Sequence, residues 1–363
     1  MSAVHQIIPV LAPHDAVGGH TRRVRDALRS RGHHSEIFAE VIVGPVPDGA
    51  HLLQDFDAHG AGADLLVYQS STGSTAADWV LSRDLPFAVN YHNVTPASFF
   101  ERWHPDAAAN MRRARNQMRA MSLRSVAGLA DSAYNAAELT EAGYRNVQVT
   151  PLLLDVSDAP PAPDPDTIAR LGARRRGQRW LFVGRLAPNK CQHDLVAALA
   201  AYRRRFDPDA ELVLVGSAAV NEYQDAVLAL ADDLGVDGAV TVVSGLSDEE
   251  LSAYYESADV FVCVSEHEGF CIPLIEAMRH DLPVVAFAAA AVPDTVGEAG
   301  LLLGQKDPAT VAAAVHELGT DEALRAELTA AGAARVRDFD LARTAPVFVD
   351  AVEGALRELQ TGA

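Results

Sequence analysis

The chain has 363 residues, more than one hydrophobic core usually organises, so two domains are expected. With 49% apolar and 22% charged residues it is neither a disordered chain nor a fibre. Its 49 acidic and 30 basic residues give a formal charge of -19, which excludes the basic footprint of a general nucleic-acid binder while leaving room for a local basic pocket.

In chain order, strand-like runs alternate with helix-like ones, the pattern that builds a mostly parallel sheet covered on both faces. The first half offers strands at 5–11, 35–43, 64–68, 87–91, 126–129 and 147–153, with helices at 22–31, 74–82 and 107–125. The start shows no secretory signal pattern, and no run reaches the 18 uninterrupted apolar residues of a membrane span. At Asp155 to Asp166 the run DVSDAPPAPDPD has four prolines and four aspartates without periodicity, and reads as an interdomain linker. A second unit follows, with strands at 179–184, 211–215, 240–244, 260–264, 283–287 and 300–303. Its helices are a segment reaching about Arg205 and those at 222–234, 248–258 and 273–278. The tail, 308–318, 321–337 and 341–359, is helical by period. The expected division is 1–154, a connecting segment 155–177, 178–340, and a last helix 341–363 that returns to the first domain.

Three cysteines, Cys191, Cys263 and Cys271, fit neither a disulfide framework nor a zinc knuckle, so a reducing cytoplasm is expected. Only Lys190 and Lys306 among the 30 basic residues are lysines. Residues 1–155 hold 13 basic and 16 acidic residues, leaving 17 and 33 for the rest, so any anion site in the second unit must be made by a few focused groups.

Two clusters carry chemistry. In LFVGRLAPNK a buried strand ends at Gly184 and delivers Arg185 and Lys190 ahead of a helix, where α/β folds bind anions; alone, such residues are commonly solvated surface charges. In SEHEGFCIPLIEA, Glu268 and Glu276 are eight apart, one in a loop and one a turn inside a helix beginning near Ile272. Acidic residues are common near helix starts, but that leaves unexplained why Gly269 and Phe270 are wedged between the carboxylates.

With these motifs the chain resembles the GT-B glycosyltransferases of family 4, retaining and nucleotide-sugar-dependent. The likeness is strongest from Arg179 to Gly300 and most specific at the E-x7-E motif of Glu268 and Glu276. It implies two Rossmann-like α/β domains facing each other across a cleft, the first for the acceptor and the second for the donor. It further implies that Glu268 lies by the transferred sugar, that Glu276 bonds the nucleotide ribose, and that Arg185 and Lys190 neutralise the donor diphosphate without a metal. Gly269, Phe270, Cys271 and Ile272 join the donor site, as do Gly18 and Gly19, taken as the glycine-rich loop after the first strand. His92 matches the family histidine near the sugar C6 hydroxyl, alternatively a buried histidine satisfying its neighbours. His20, Asn93 and Thr95 are the expected acceptor contacts. Ala288 to Ala291 depart from the glycines that many members carry there.

The activity implied is transfer of a hexosyl group from a UDP- or GDP-sugar to a hydroxyl, with no cofactor beyond the donor. A GT-B epimerase, a phosphorylase and an inactive sugar-nucleotide sensor are the alternatives. Arg112, Arg113, Arg115, Arg119 and Arg124 follow one helix with Met111, Met118 and Met121; a solvated cationic face is favoured over a membrane contact.

Overall fold

The computed structural model describes residues 1–13, 15–157 and 159–361. They form two units, each built on its own parallel sheet. The first comprises Met1–Glu101, Pro105–Asp155 and the chain from Asp338 onward; the second comprises Arg102–His104 and Val156–Arg337. Of the expected linker, Asp158 lies outside the described residues.

In the first unit the strands are β1 (Val4–Leu11), β2 (Ile37–Ile42), β3 (Ala50–Leu52), β4 (Leu65–Ser70), β5 (Phe87–Tyr91), β6 (Ala127–Ala130) and β7 (Val147–Val149), ordered β3-β2-β1-β4-β5-β6-β7 and parallel throughout. The helices are α1 (Ala16–Ser30), α2 (Phe56–His59), α3 (Thr75–Ser82), α4 (Pro105–Ser122) and α5 (Ala133–Glu141). Every residue of β4 is buried, as a strand covered on both faces requires. One core layer gathers Ile7, Phe38, Tyr68, Val89, Met118 and Met121, the other Val4, Val24, Leu65 and Ala88.

The second unit repeats the type. Its strands are β8 (Arg179–Val183), β9 (Glu211–Val215), β10 (Val240–Val243), β11 (Val260–Cys263), β12 (Val284–Phe287) and β13 (Leu301–Leu303), in the parallel order β10-β9-β8-β11-β12-β13. Its helices are α6 (Pro165–Arg174), α7 (Gln192–Arg205), α8 (Asn221–Asp233), α9 (Asp248–Ser257), α10 (Ile272–Arg279), α11 (Val292–Val296), α12 (Pro308–Thr320) and α13 (Glu322–Val336). The chain moves outward from β8 to β10, then returns to lay β11 against the other side of β8. The strand order therefore reverses at β8, and the carboxyl ends of β8 and β11 border the crevice where such sheets bind ligands.

The last helix, α14 (Leu341–Thr361), belongs to the first unit, where Phe348, Val349 and Val352 join the layer of Val4 and Val24. Helix α4 turns Met118 and Met121 into the core and packs Met111 against it. Three of its four arginines are paired, Arg112 with Glu101 (2.8 Å), Arg113 with Asp78 (2.7 Å) and Arg115 with Glu138 (3.0 Å), while Arg124 just beyond donates to the carbonyls of Leu81 and Arg83. Among the described residues no helix is long and apolar enough to cross a membrane.

Buried histidines make the first unit pH-sensitive. Burial, aided by His34, pulls His5 down to about 4, and burial with His92 and Arg23 pulls His20 well below its ordinary value. Both are neutral when folded and regain a pKa near 6.5 on unfolding, so the unfolded chain binds more protons below that pH. Stability should fall as pH drops from about 6.5 toward 4, by up to about 1.4 kcal/mol per pH unit for each histidine. Urea titrations at stepped pH measure this, and a flat profile across the window contradicts it.

Candidate active site

Strand β8 runs into Gly184, whose φ is 150°. A Cβ on the neighbouring Gly216 would overlap the Gly184 carbonyl, so the two strand ends can meet only because residue 216 is glycine. The next residue, Arg185, is exposed, and its guanidinium has no partner among the described residues. A 3-10 turn, Pro188–Lys190, then precedes α7, and Cys191 sits left-handed (φ 54°) at the helix start.

The loop after β11 is stitched to this turn. Glu266 N–H donates to the Asn189 carbonyl (2.9 Å), and Asn189 Nδ2 donates to the His267 carbonyl (3.0 Å). These bonds bring the Lys190 ammonium onto the Glu268 carboxylate. Glu268 is 7% exposed. Burial alone would lower the Lys190 pKa, but Glu268 and the Cys271 and Cys263 thiols more than offset this and hold it above its usual value. The loop after β12 joins through Ala291 N–H, which donates to the Glu268 carbonyl (3.2 Å). Phe270 is buried, its carbonyl accepting from Thr295 Oγ1, with Gly269 half-buried beside it. Cys271 is left-handed (φ 72°) and caps α10, which begins at Ile272. Deeper in that helix, Glu276 accepts from the Tyr255 hydroxyl (2.8 Å), and burial pushes its carboxyl up.

Three residues without glycine's freedom thus take positive φ in the three loops that meet here: Cys191, Cys271 and Ala290 (φ 49°). Such conformations cost energy and cluster at functional sites. The alanine run departs from glycine in sequence while Ala290 keeps a glycine-like backbone. Ala290→Gly should therefore stabilise the protein by roughly 0.5–1 kcal/mol, relief of left-handed strain outweighing glycine's entropy. A lowered melting temperature contradicts this.

In the first unit the expected residues are brought together, but inward. Gly18 and Gly19 lie in the first turns of α1, not in a loop. The Asp15 carboxylate accepts from Gly18 N–H (2.8 Å) and its carbonyl from Gly19 N–H (2.8 Å), so neither amide is free for a phosphate. This corrects the expected glycine loop: Asp15 is a strong N-cap that starts the helix despite glycine's low propensity.

His20 is also corrected as a direct acceptor contact. It is fully buried, Nδ1 accepts from Leu153 N–H (3.0 Å) and Nε2 faces the Asn90 amide (2.8 Å). His92 is held on both sides. The Thr21 carbonyl accepts from Gln6 Nε2 and Gln6 Oε1 from Gln69 Nε2, which leaves Gln69 Oε1 as an acceptor 2.6 Å from His92 Nε2. That nitrogen therefore carries a proton. Its Nδ1 meets Asp131 Oδ2 at 2.8 Å, and burial raises the Asp131 carboxyl despite His92. Asn93 (φ 74°) donates its amide to Asn135 Oδ1 (2.7 Å) and Glu138 Oε2 (3.1 Å), while Thr95 is half-buried.

Sequence reasoning missed Asn189, Asp131, Gln69 and Tyr255. It also gave no role to Lys306, which bonds Asp194 (2.6 Å) and Glu266 (2.7 Å); its rarity as one of two lysines was the available signal.

Residues 165–335 match the family model described as glycosyl transferases group 1. The chain is 32% identical over 232 residues to the D-inositol 3-phosphate glycosyltransferase of Frankia alni, covering 62% of this chain and 57% of that protein. The family-model match covers just under half of the chain, and the two parallel-sheet units have the GT-B fold. The chain is also similar to the GDP-mannose-dependent alpha-(1-6)-phosphatidylinositol monomannoside mannosyltransferase of Mycolicibacterium smegmatis, 36% identical over 183 residues, 47% of each chain. The chain spans about half the length of the curated relatives it matches. Among solved structures, the sucrose-phosphate synthase of Thermosynechococcus elongatus superposes with a TM-score of 0.77 at 20% identity, over 99% of this chain and 100% of that one. Anabaena HepE with UDP and glucose gives 0.75 at 17%, over 98% and 100%. Both share the fold.

Proposed function

We propose that this protein is a retaining glycosyltransferase that moves a hexosyl group from a UDP- or GDP-sugar to a hydroxyl of a small-molecule, saccharide or lipid-linked acceptor. The observation that carries it is the meeting of Lys190 and Glu268 at the strand reversal, with the Arg185 guanidinium, which has no partner among the described residues, on the same loop as Lys190. Arg185 forks two diphosphate oxygens and Lys190 adds a mobile charge. Both act more strongly as the diphosphate departs with growing negative charge than in the bound donor. Glu268 opposes positive charge developing at the anomeric carbon, and Glu276, oriented by Tyr255, takes the ribose.

In the front-face reaction the acceptor oxygen bonds the anomeric carbon on the side from which the phosphate oxygen leaves. The hydroxyl proton passes to that departing oxygen, so no covalent enzyme nucleophile is needed. The two glutamates are therefore not the acid and nucleophile of a glycosidase. The first unit takes the acceptor, with Thr95 as its contact and His92 on the sugar side. The working compartment is the cytoplasm, in keeping with three cysteines that are free thiols.

One relative is named GDP-mannose-dependent and HepE is described with UDP and glucose, so the donor test spans both bases. Thermal-shift titration with UDP-, GDP- and ADP-sugars should single out one base, with about 2.7 kcal/mol of added stability at a hundredfold excess over Kd. The selected donor, offered with inositol phosphates and simple saccharides, should release nucleoside diphosphate and give a retained glycoside. No shift with any donor and no release overturns the reading.

A further inference from the structure

We propose that Cys263, Cys271 and Glu268 form a binding site for one thiophilic divalent ion of tetrahedral preference, such as zinc, and that the ion switches the transferase off by capturing Glu268. The metal site itself stands on geometry alone; the loss of activity rests on the transferase reading.

The two sulfurs are 4.0 Å apart. Metal–sulfur bonds of about 2.3 Å at the tetrahedral angle place two sulfurs about 3.8 Å apart, so the observed pair already spans one edge of a coordination tetrahedron. A Glu268 carboxylate oxygen completes a face, all three donor atoms lying within 4.8 Å of one another. Cys263 ends β11 and is fully buried, while Cys271 is fixed left-handed at the start of α10 and is partly exposed, which gives an ion an entry path. Cys263 Sγ also lies 3.4 Å from Ser265 Oγ, which supports the sulfur from behind.

Charge closes as well. Binding a divalent ion to two thiols and one carboxylate releases two protons and leaves a complex of charge -1, beside which the Lys190 ammonium already sits. The other grouping of this kind among the described residues, Cys191, His193 and Asp194, offers one sulfur in place of two and so lacks the preformed sulfur edge.

The probe is cadmium, added to protein held reduced by a phosphine. Titration should raise the ultraviolet thiolate-to-cadmium charge-transfer band to a one-ion end point, with two protons released per ion. Cys263→Ser should weaken cadmium binding by at least about 100-fold, with Cys263→Ala as a second variant if the first fails to fold, whereas Cys191→Ser should leave band and affinity unchanged. Transfer by wild type should drop at least about tenfold at the end point and survive in Cys263→Ser. A band that is absent, or that persists unchanged in both Cys263 variants, overturns the site; a saturated band with undiminished transfer overturns the switch. If metal-free protein transfers no sugar while the band titrates as expected, the transferase reading fails and the metal site stands.

Discussion

Glu268→Gln should lower the single-turnover transfer rate by roughly 10²–10³ while leaving donor affinity unchanged or improved. The Glu268 carboxylate holds the Lys190 ammonium, so on the proposed function an arriving diphosphate must draw Lys190 away from it. The amide keeps the side chain's volume and removes its charge. On the same proposal Lys190 is then released to the donor, whereas the anomeric carbon loses the negative group that would oppose its developing charge. Donor dissociation constants and single-turnover rates at saturating acceptor separate the two effects, since slow product release then hides nothing. A near wild-type rate would remove Glu268 from the chemistry.

The second large effect separates Lys190 from Arg185. Lys190→Ala strips the partner from a carboxylate that is 7% exposed and should destabilise the protein by roughly 3 kcal/mol as well as weaken diphosphate binding by about 100-fold. Arg185→Ala removes an exposed guanidinium with no partner among the described residues, so stability should stay within about 0.5 kcal/mol while diphosphate affinity falls about 10- to 100-fold. The double variant Lys190→Met/Glu268→Gln should recover most of the lost stability, because no buried charge is then left alone. Calorimetric titration with nucleoside diphosphate, alongside urea unfolding, measures both quantities. Unchanged affinity in both single variants would sink the diphosphate assignment.

Much of the second unit was legible, because its strands are short continuous apolar runs and its chemistry sits in two local motifs, each placed by one strand end. What joins those motifs was not. Asn189 reaches across 78 residues to the His267 carbonyl, and Tyr255 reaches Glu276 from another helix; local pattern contains neither pairing. In the first unit Gly18 and Gly19 read as loop because glycine penalises a helix, yet Asp15 begins α1 ahead of them. Helix α6 likewise opens inside the Pro/Asp run, since Asp164 caps it and Pro165 suits its first turn. His20 early in α1 and Asn93 just past β5 are polar residues beside a helix start and a strand exit, the signature of ligand contacts. The same signature marks a buried polar network, and only their exposure distinguishes the two.

The return of α14 to the first unit sets an order of completion during synthesis. Residues Val156–Arg337 are all translated before the helix that covers Val4, Val24 and Leu65 leaves the ribosome. The second sheet can close while the first still carries an uncovered apolar face, so the half of the protein made first is finished last. A stop codon just before Leu341 leaves the second unit whole and strips one layer of the first, and such a chain should be retained by chaperones through the amino-terminal half.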